Sequence, residues 1–210
     1  MKQNNVKYIV SISLKLLVIC SIVAAIVAFV NDITKERIAL NEMMTTAQAL
    51  TGIYSSDFDG HAFVVENKEY VVKDNDGNTV AKCLQVDSKY ITVNDVTAVY
   101  VLNDADNNAL GYCVSIQPMG FKDVIKMLVA VTPDLKIKGV EIVSMSETSG
   151  IGTKAKEPAF LEKFMGLGAE QAREVDIISG ATKTTKPVIS AVASSIDQVA
   201  KYISTSGGVN

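Results

Sequence analysis

Residues 97–116 read TAVYVLNDADNNALGYCVSI, and this stretch decides the fold class. Two runs rich in β-branched and aromatic residues, 97–102 and 110–116, flank the polar segment 104–108. Runs of this composition favour strands, and a short polar segment between two of them is typical of a β-hairpin. We therefore expect an antiparallel strand pair here.

The polar segment also has the early spacing of a calcium-binding loop, at Asp104, Asp106 and Asn108. Such a loop needs a later glycine and a bidentate glutamate at fixed offsets, and neither follows here. The segment is therefore interpreted as a plain turn.

Two further pairs of β-prone runs are joined by turn-forming residues in the same way. They are 69–72 with 80–84 around the turn 74–78, and 126–131 with 137–143 around the turn 132–134. Helical patterns lie before and after these strands. An antiparallel sheet with flanking helices is an α+β fold, and we expect that class.

The final helix has the clearest pattern in the chain. Its apolar residues recur at steps of three or four, which places them on one face. They are Val188, Val192, Ile196, Val199 and Ile203. Pro187 suits a first helical turn, so Thr185 or Lys186 is predicted to cap the helix.

The N-terminal region predicts a membrane span at residues 8–30. No charge interrupts Leu16–Val30, and Lys15 is the only charged residue back to Tyr8. A helix of this length spans about 35 Å, and the hydrocarbon core of a bilayer is about 30 Å thick. The span ends Ala28-Phe29-Val30-Asn31, which fits poorly with the small residues that a signal-peptide cleavage site has at its −3 and −1 positions, so we expect an uncleaved anchor.

The charges around the span predict its orientation. Lys2 and Lys7 precede it, and the flank that follows is mixed in charge. The positive-inside rule then places residues 1–7 in the cytoplasm and the body of the protein outside the cell membrane, in a single-pass arrangement.

The pattern of apolar and polar residues divides the body of the protein into three parts. Residues 31–52 are predicted to form a membrane-proximal helix capped by Thr34. Residues 53–203 are expected to form the extracytoplasmic domain, and the polar, glycine-rich residues 204–210 are expected to form a flexible tail.

Charge and composition exclude some function classes. The chain has a net charge of −3 and residues 1–30 carry +3, so the body is acidic and nucleic acid is not an expected partner. One histidine and three cysteines without metal-binding spacing argue against a protein-built metal site. Cys83 and Cys113 could form a disulfide outside the cytoplasm or remain two buried thiols, and their spacing does not decide.

Two loops rich in glycine and hydroxyl residues are candidate ligand sites, 146–152 and 179–185. Glycine lets backbone N–H groups approach a ligand closely, and a helix N-terminus immediately beyond favours an anion. The residues thus predict a phosphate-bearing ligand near Thr182. An ordinary Ser/Thr helix cap is the alternative that composition alone leaves open.

The motif Asp176-x-x-Ser179-Gly180-Ala181-Thr182 resembles the flavinylation motif of FMN-binding domains in bacterial respiratory complexes. The wider chain resembles RnfG, a component of the Rnf electron-transport complex, from the membrane anchor to the last helix. The segments that carry this resemblance are 30–35, Gly111-Tyr112, 147–152, 157–161 and Phe164. The chain departs from the family pattern at Ser149, where proline is usual, and at 120–123, which is usually richer in glycine.

The resemblance implies FMN attached covalently, through its phosphate, to Thr182. It also implies a separate flavin transferase that uses FAD and a divalent metal, with this chain as its substrate. Thr184 and Thr185 are the nearest alternative acceptors. Glu147 and Thr148 are expected to contact the isoalloxazine, and the glycines of their loop to permit close approach.

The predicted cofactor-binding set lies in the two loops, with no catalytic or metal-binding residue. It comprises Thr182 as covalent site with Asp176, Ser179, Gly180, Ala181, Lys183 and Thr184, and Glu147, Thr148, Gly150, Ile151 and Gly152.

The resemblance further implies an electron-carrying component of an ion-translocating ferredoxin:NAD oxidoreductase. It would assemble with membrane subunits and with Fe–S and flavin subunits, without an independent catalytic site. Alternatives are NqrC, a component of the Na⁺-translocating NADH:quinone reductase, another membrane-anchored FMN carrier, and, most distantly, a non-redox domain that binds a phosphorylated ligand.

Overall fold

The computed structural model describes the backbone of residues 2–206 and the side chains of residues 8–206. Part of the predicted cytoplasmic stretch 1–7 and the end of the predicted tail 204–210 therefore lie outside the described residues. The chain divides into two units, Met1–Met43 and Met44–Asn210.

The first helix, α1, runs without interruption from Lys2 to Tyr54. An 18-residue window within it has a mean hydropathy of 2.6, so the helix is long and apolar enough to cross a membrane. The prediction that Thr34 caps the start of the membrane-proximal helix is wrong, because α1 is continuous through this residue. Its hydroxyl donates to the Val30 carbonyl at 2.6 Å inside the helix, and no glycine or proline precedes Gly52 to break the chain of hydrogen bonds.

In the described part of the chain, seven strands form one antiparallel sheet in which neighbours in sequence are neighbours in space. The three predicted hairpins and the α+β class are confirmed. The strands are β1 Phe63–Glu66, β2 Glu69–Lys73, β3 Thr79–Gln85, β4 Val96–Asp104, β5 Ala109–Ile116, β6 Lys126–Val131 and β7 Ile137–Ser144.

The first strand was not predicted. It pairs with β2 through a two-residue turn at Asn67 and Lys68, which have φ angles of 50° and 66°. Two successive positive φ angles match the twist of a hairpin, but the usual sequence signal is Asn-Gly or Asp-Gly. Because the second turn residue is lysine, the sequence pattern did not predict this turn.

The turn at 104–108 is a hairpin turn, as expected. The Asp104 carboxylate accepts hydrogen bonds from the backbone of Asp106 and Asn108, at 2.9 and 2.8 Å, and from the Asn108 amide at 3.0 Å. The Asp104 side chain therefore stabilises the turn in which it lies.

The sheet is covered on both faces. On one face, the last helix packs over strands β5 and β6, and valines of this helix and of the strands form the main core. On the other face, the end of α1 packs closely because two glycines leave room. A Cβ at Gly111 would lie 3.0 Å from the Tyr54 hydroxyl, and a Cβ at Gly139 would lie 2.9 Å from Ile53 Cγ2.

The last helix, α4, spans Thr182–Ser206, so the prediction of its start at Thr185 or Lys186 is wrong. The helix begins one turn earlier and Pro187 lies inside it. The proline removes the hydrogen bond that its N–H would make to the Lys183 carbonyl, and the helix nevertheless continues. Two short helices precede it, α2 Pro158–Leu161 and α3 Ala169–Arg173.

The structure resolves the alternatives for the two cysteines of the domain. Cys83 on β3 and Cys113 on β5 are buried free thiols with strand β4 between them. Two strand spacings of about 4.8 Å separate them by more than the roughly 7 Å that a disulfide can bridge. The nearby Cys113 thiol and burial together raise the pKa of the Cys83 thiol.

Candidate functional site

The two ends of the sheet differ, and the candidate site lies at one of them. In an antiparallel meander, alternate connections emerge at the same end. The β5–β6 connection, 117–125, and the loop that follows β7 therefore share one end, and the hairpin turns 104–108 and 132–136 lie at the other.

Glu147 connects the segments at this end. Its Oε1 accepts hydrogen bonds from the backbone N–H groups of Phe121 and Lys122 at 2.9 and 3.0 Å. Its Oε2 accepts one from the Thr184 hydroxyl at 2.8 Å. The carboxylate is buried and joins the β5–β6 connection, its own loop and the first turn of α4.

Two glycines make space for this carboxylate. A Cβ at Gly120 would lie 2.4 Å from Glu147 Oε1, which is closer than atoms can approach. A Cβ at Gly152 would lie 2.9 Å from both Glu147 Cβ and Oε2, and 3.0 Å from Thr184 Oγ1. Because these two glycines have no side chain, the β5–β6 connection and the loop after β7 can pack closely against the Glu147 side chain.

The hydrogen bonds keep Glu147 ionised. Burial raises the pKa of its carboxyl, but the N–H of Lys122, the Thr184 hydroxyl and the N–H of Phe121 all stabilise the charged form. Their combined effect outweighs burial, and the pKa lies below its ordinary value. A buried negative charge therefore lies beneath the site.

The chain turns sharply into α4 at Gly180, whose φ of +81° favours glycine. The N–H of Ala181 donates to the Ile178 carbonyl, and the Ala181 carbonyl accepts from the N–H groups of Thr184 and Thr185. Among the described residues, no acceptor is found for the N–H groups of Thr182 and Lys183. The helix start therefore presents two free donors.

Three threonines lie within this first turn, and the structure distinguishes them. Thr184 is buried with its hydroxyl bound to Glu147, and Thr185 is buried with its hydroxyl donating to the Ala181 carbonyl at 3.1 Å. Thr182 is half-buried, and no hydrogen bond of its side chain is found in the part of the chain that the structure describes. Its hydroxyl is the one that remains available.

A cleft of about 540 Å³ opens between the two loops and the β5–β6 connection. This volume lies within the range of small-molecule sites. Both free helix N–H groups belong to residues that line it. The lining residues are Phe121, Glu147, Thr148, Ile151, Gly152, Gly180, Ala181, Thr182, Lys183 and Thr184.

Three predicted site residues do not line the cleft. Asp176 and Ser179 are exposed in the segment before it. Gly150 has a φ of +74°, and its N–H donates to Thr153 Oγ1 at 2.9 Å, so it forms a turn. The two oxygens of Glu147 are engaged by the protein, although the sequence suggested contacts with a ligand.

Phe121 lines the cleft but was absent from the predicted set. The residue is 56% exposed, and Lys183 Nζ lies 5.2 Å from the centre of its ring. An aromatic ring beneath a cation is a favourable contact. No periodic signal marks this residue in the sequence, because it lies in the irregular 120–123 turn.

Comparisons with known proteins identify two regions of the chain. Residues 120–197 match the family described as FMN-binding domain, and residues 1–53 match the RnfG N-terminal region. The first match contains the cleft described above, and the second coincides with nearly all of α1.

Two curated relatives are similar to this chain in sequence. The chain is 29% identical over 136 residues to the G component of the proton-translocating ferredoxin:NAD(+) oxidoreductase complex of Clostridium ljungdahlii, covering 57% of this chain and 74% of the relative. It is 23% identical over 207 residues to the G component of the Na(+)-translocating ferredoxin:NAD(+) oxidoreductase complex of Acetobacterium woodii, covering 92% and 93%.

Among solved structures, NqrC of Shewanella oneidensis aligns with a TM-score of 0.44 at 23% sequence identity. The alignment covers 59% of this chain and 68% of that structure.

Proposed function

We propose that this chain, which belongs to the RnfG family, is the membrane-anchored flavoprotein of an Rnf-type complex and carries FMN attached to Thr182. The family membership supports a flavoprotein component of such a complex. The residue-level attachment rests on the cleft and on the motif that ends at Thr182.

The observation that carries the attachment is the selective availability of the Thr182 hydroxyl. It lies at the first residue of α4 and lines the cleft, whereas the hydroxyls of Thr184 and Thr185 are buried and already bound. Of the three candidate acceptors, only Thr182 can react without a rearrangement of the helix.

The residues around the cleft fit FMN. The free N–H groups of Thr182 and Lys183, at the N-terminus of a helix, suit a phosphate dianion or its ester. Phe121 and Ile151 offer apolar surface to a planar ring system, and the volume is adequate. When bound, FMN supplies the ability to accept and release electrons, which no side chain in the cleft has.

The attachment is a phosphoryl transfer without change of oxidation state. A bond forms between Thr182 Oγ1 and the phosphorus of the FMN moiety of FAD, the pyrophosphate bond breaks, and AMP leaves. The hydroxyl proton passes to a base of a separate, divalent-metal-dependent flavin transferase. Gly180 and Ala181 keep the approach to the hydroxyl open because their side chains are absent or small.

The anchor places this electron carrier at a membrane. We propose that α1 crosses the cell membrane once, with residues 1–7 in the cytoplasm and the flavin domain outside. A covalent link would then prevent loss of the cofactor, because the flavin remains at a high effective concentration. The expected partners are the membrane, Fe–S and flavin subunits of a complex that exchanges electrons between ferredoxin and NAD.

The match of residues 1–53 to the RnfG N-terminal region supports this assignment over NqrC of a Na⁺-translocating NADH:quinone reductase. No observation favours a domain that binds a phosphorylated ligand without redox chemistry.

The test is expression of the full chain with the flavin transferase, followed by fluorescence on a denaturing gel and intact mass measurement. The wild type should carry one FMN phosphoester, and Thr182→Val, which keeps the shape of the side chain, should carry none. Ser190→Ala, at an exposed hydroxyl further along α4, is the matched control and should retain the adduct. A wild type without FMN, or an adduct that persists in Thr182→Val, would overturn the proposal.

A further inference from the structure

We propose that Glu147 is a positioning residue for flavin attachment, which determines that Thr182, and not Thr184, presents its hydroxyl to the flavin transferase. This inference rests on the proposed attachment and assigns Glu147 a role other than contact with the flavin.

Both oxygens of the Glu147 carboxylate are occupied by other groups of the protein. Its oxygens accept from the Phe121 and Lys122 N–H groups and from the Thr184 hydroxyl, at 2.9, 3.0 and 2.8 Å. Charge-assisted hydrogen bonds of this kind are roughly twice as strong as neutral ones. Glu147 is thus bound by the protein, although it lines the cleft.

Thr182 and Thr184 are two positions apart on a helix, so their side chains point about 200° apart around the axis. Both residues line the cleft, so a movement of the first turn that released the Thr184 hydroxyl from Glu147 would present a second acceptor there. The bond from Thr184 to Glu147 opposes that movement, since it fixes the helix start to the loop after β7.

Two glycines leave space for the Glu147 carboxylate. Gly120 and Gly152 approach it from two sides, at distances where a Cβ would clash. The Glu147 side chain is therefore confined to one position, and from there it also holds the backbone of residues 120–122 by hydrogen bonds. The Glu147 side chain thus fixes the β5–β6 connection, the loop after β7 and the first turn of α4 relative to the Thr182 hydroxyl.

The experiment compares the full chain with Glu147→Ala and Glu147→Gln, each co-expressed with the flavin transferase. Tryptic digestion separates the acceptors, because cleavage after Lys183 leaves Thr182 in the peptide 174–183 and Thr184 and Thr185 in the next one. Lys186 is followed by proline, so that next peptide extends to Lys201. Mass spectrometry then reports both the yield and the site of the adduct.

In the wild type, the adduct should lie wholly in the peptide 174–183. Glu147→Ala should lower the yield about tenfold, because a displacement on the order of 1 Å is enough to misplace a reacting group. Part of the remaining adduct should move to the peptide that begins at Thr184. Glu147→Gln keeps an oxygen for the N–H groups and a polar partner for Thr184, so it should restore the site at Thr182.

Glu157→Ala is the matched control, since Glu157 is an exposed carboxylate at the end of the same loop whose side chain does not cap α2. It should leave the yield and the site unchanged. A melting curve of each variant reports folding separately.

Unchanged yield and site in Glu147→Ala would overturn this inference while the attachment itself stands. So would a low yield in Glu147→Ala that follows its loss of folded protein, with every adduct still at Thr182. A wild type without any adduct would instead overturn the proposed function.

Discussion

The Thr184 hydroxyl donates a 2.8 Å hydrogen bond to Glu147 Oε2 across 37 residues of sequence. Both side chains are buried. The bond joins the first turn of α4 to the loop after β7, and several measurable properties of the cleft depend on it.

Gly152→Ala should destabilise the protein by about 1–3 kcal/mol, as expected when an atom is forced into a packed site. The added Cβ would lie 2.9 Å from Glu147 Oε2 and 3.0 Å from Thr184 Oγ1, so it would push the bonded pair apart. Thermal unfolding of the detergent-solubilised chain measures the change. Gly52→Ala is the control. No atom lies within 4 Å of its added Cβ and the residue is helical, so alanine should be neutral or stabilising. Equal effects of the two substitutions would contradict the packing argument.

Stability should depend on the ionisation of Glu147. Because its pKa is lower in the folded protein, its contribution is fully present above the unfolded value of about 4.3 and is lost as the pH falls through the folded pKa. The difference in melting temperature between wild type and Glu147→Gln should therefore stay constant from about pH 7 to about pH 5 and shrink below about pH 4. A difference that grows on acidification would show that the carboxyl is bound in its neutral form.

Phe121→Ala should make the flavin that we propose at Thr182 more accessible without unfolding the domain. The residue lines the cleft but is 56% exposed, so the free energy of unfolding should change by only about 0.5 kcal/mol. Quenching of flavin fluorescence by iodide measures the access. Met165→Ala removes a side chain of similar exposure, 55%, outside the cleft lining and should leave the quenching unchanged. Identical quenching in wild type and Phe121→Ala would place the flavin ring away from Phe121.

Cys83 and Cys113 should remain free thiols in the mature protein, even if the domain lies in an oxidising compartment. Strand β4 separates them, so a bridge would require the sheet to open. Alkylation after unfolding, followed by mass spectrometry without reductant, should label both cysteines. A product two hydrogens lighter that resists labelling at both positions would refute this.

The local pattern of the sequence was sufficient for most of the sheet. The turn residues at 74–78, 104–108 and 132–134 act within a few residues of themselves, so each hairpin could be recognised from its own segment. The turn at Asn67 and Lys68 was not predicted because lysine rarely adopts a positive φ. The start of α4 was placed too late because Pro187 favours a first turn but does not require one.

The sequence by itself determined the apolar N-terminal helix, the antiparallel hairpins, and the loops from which the cleft is built. Each of these depends on periodicity or on residues close in the chain. Only the tertiary structure decided which hydroxyl of the first turn of α4 is available, that Glu147 is bound by the protein, and that Phe121 joins the cleft. Those outcomes depend on contacts between residues distant in the chain, such as Phe121 with Glu147 and Thr184 with Glu147, which are 26 and 37 positions apart. The order of the strands in the sheet brings these residues together.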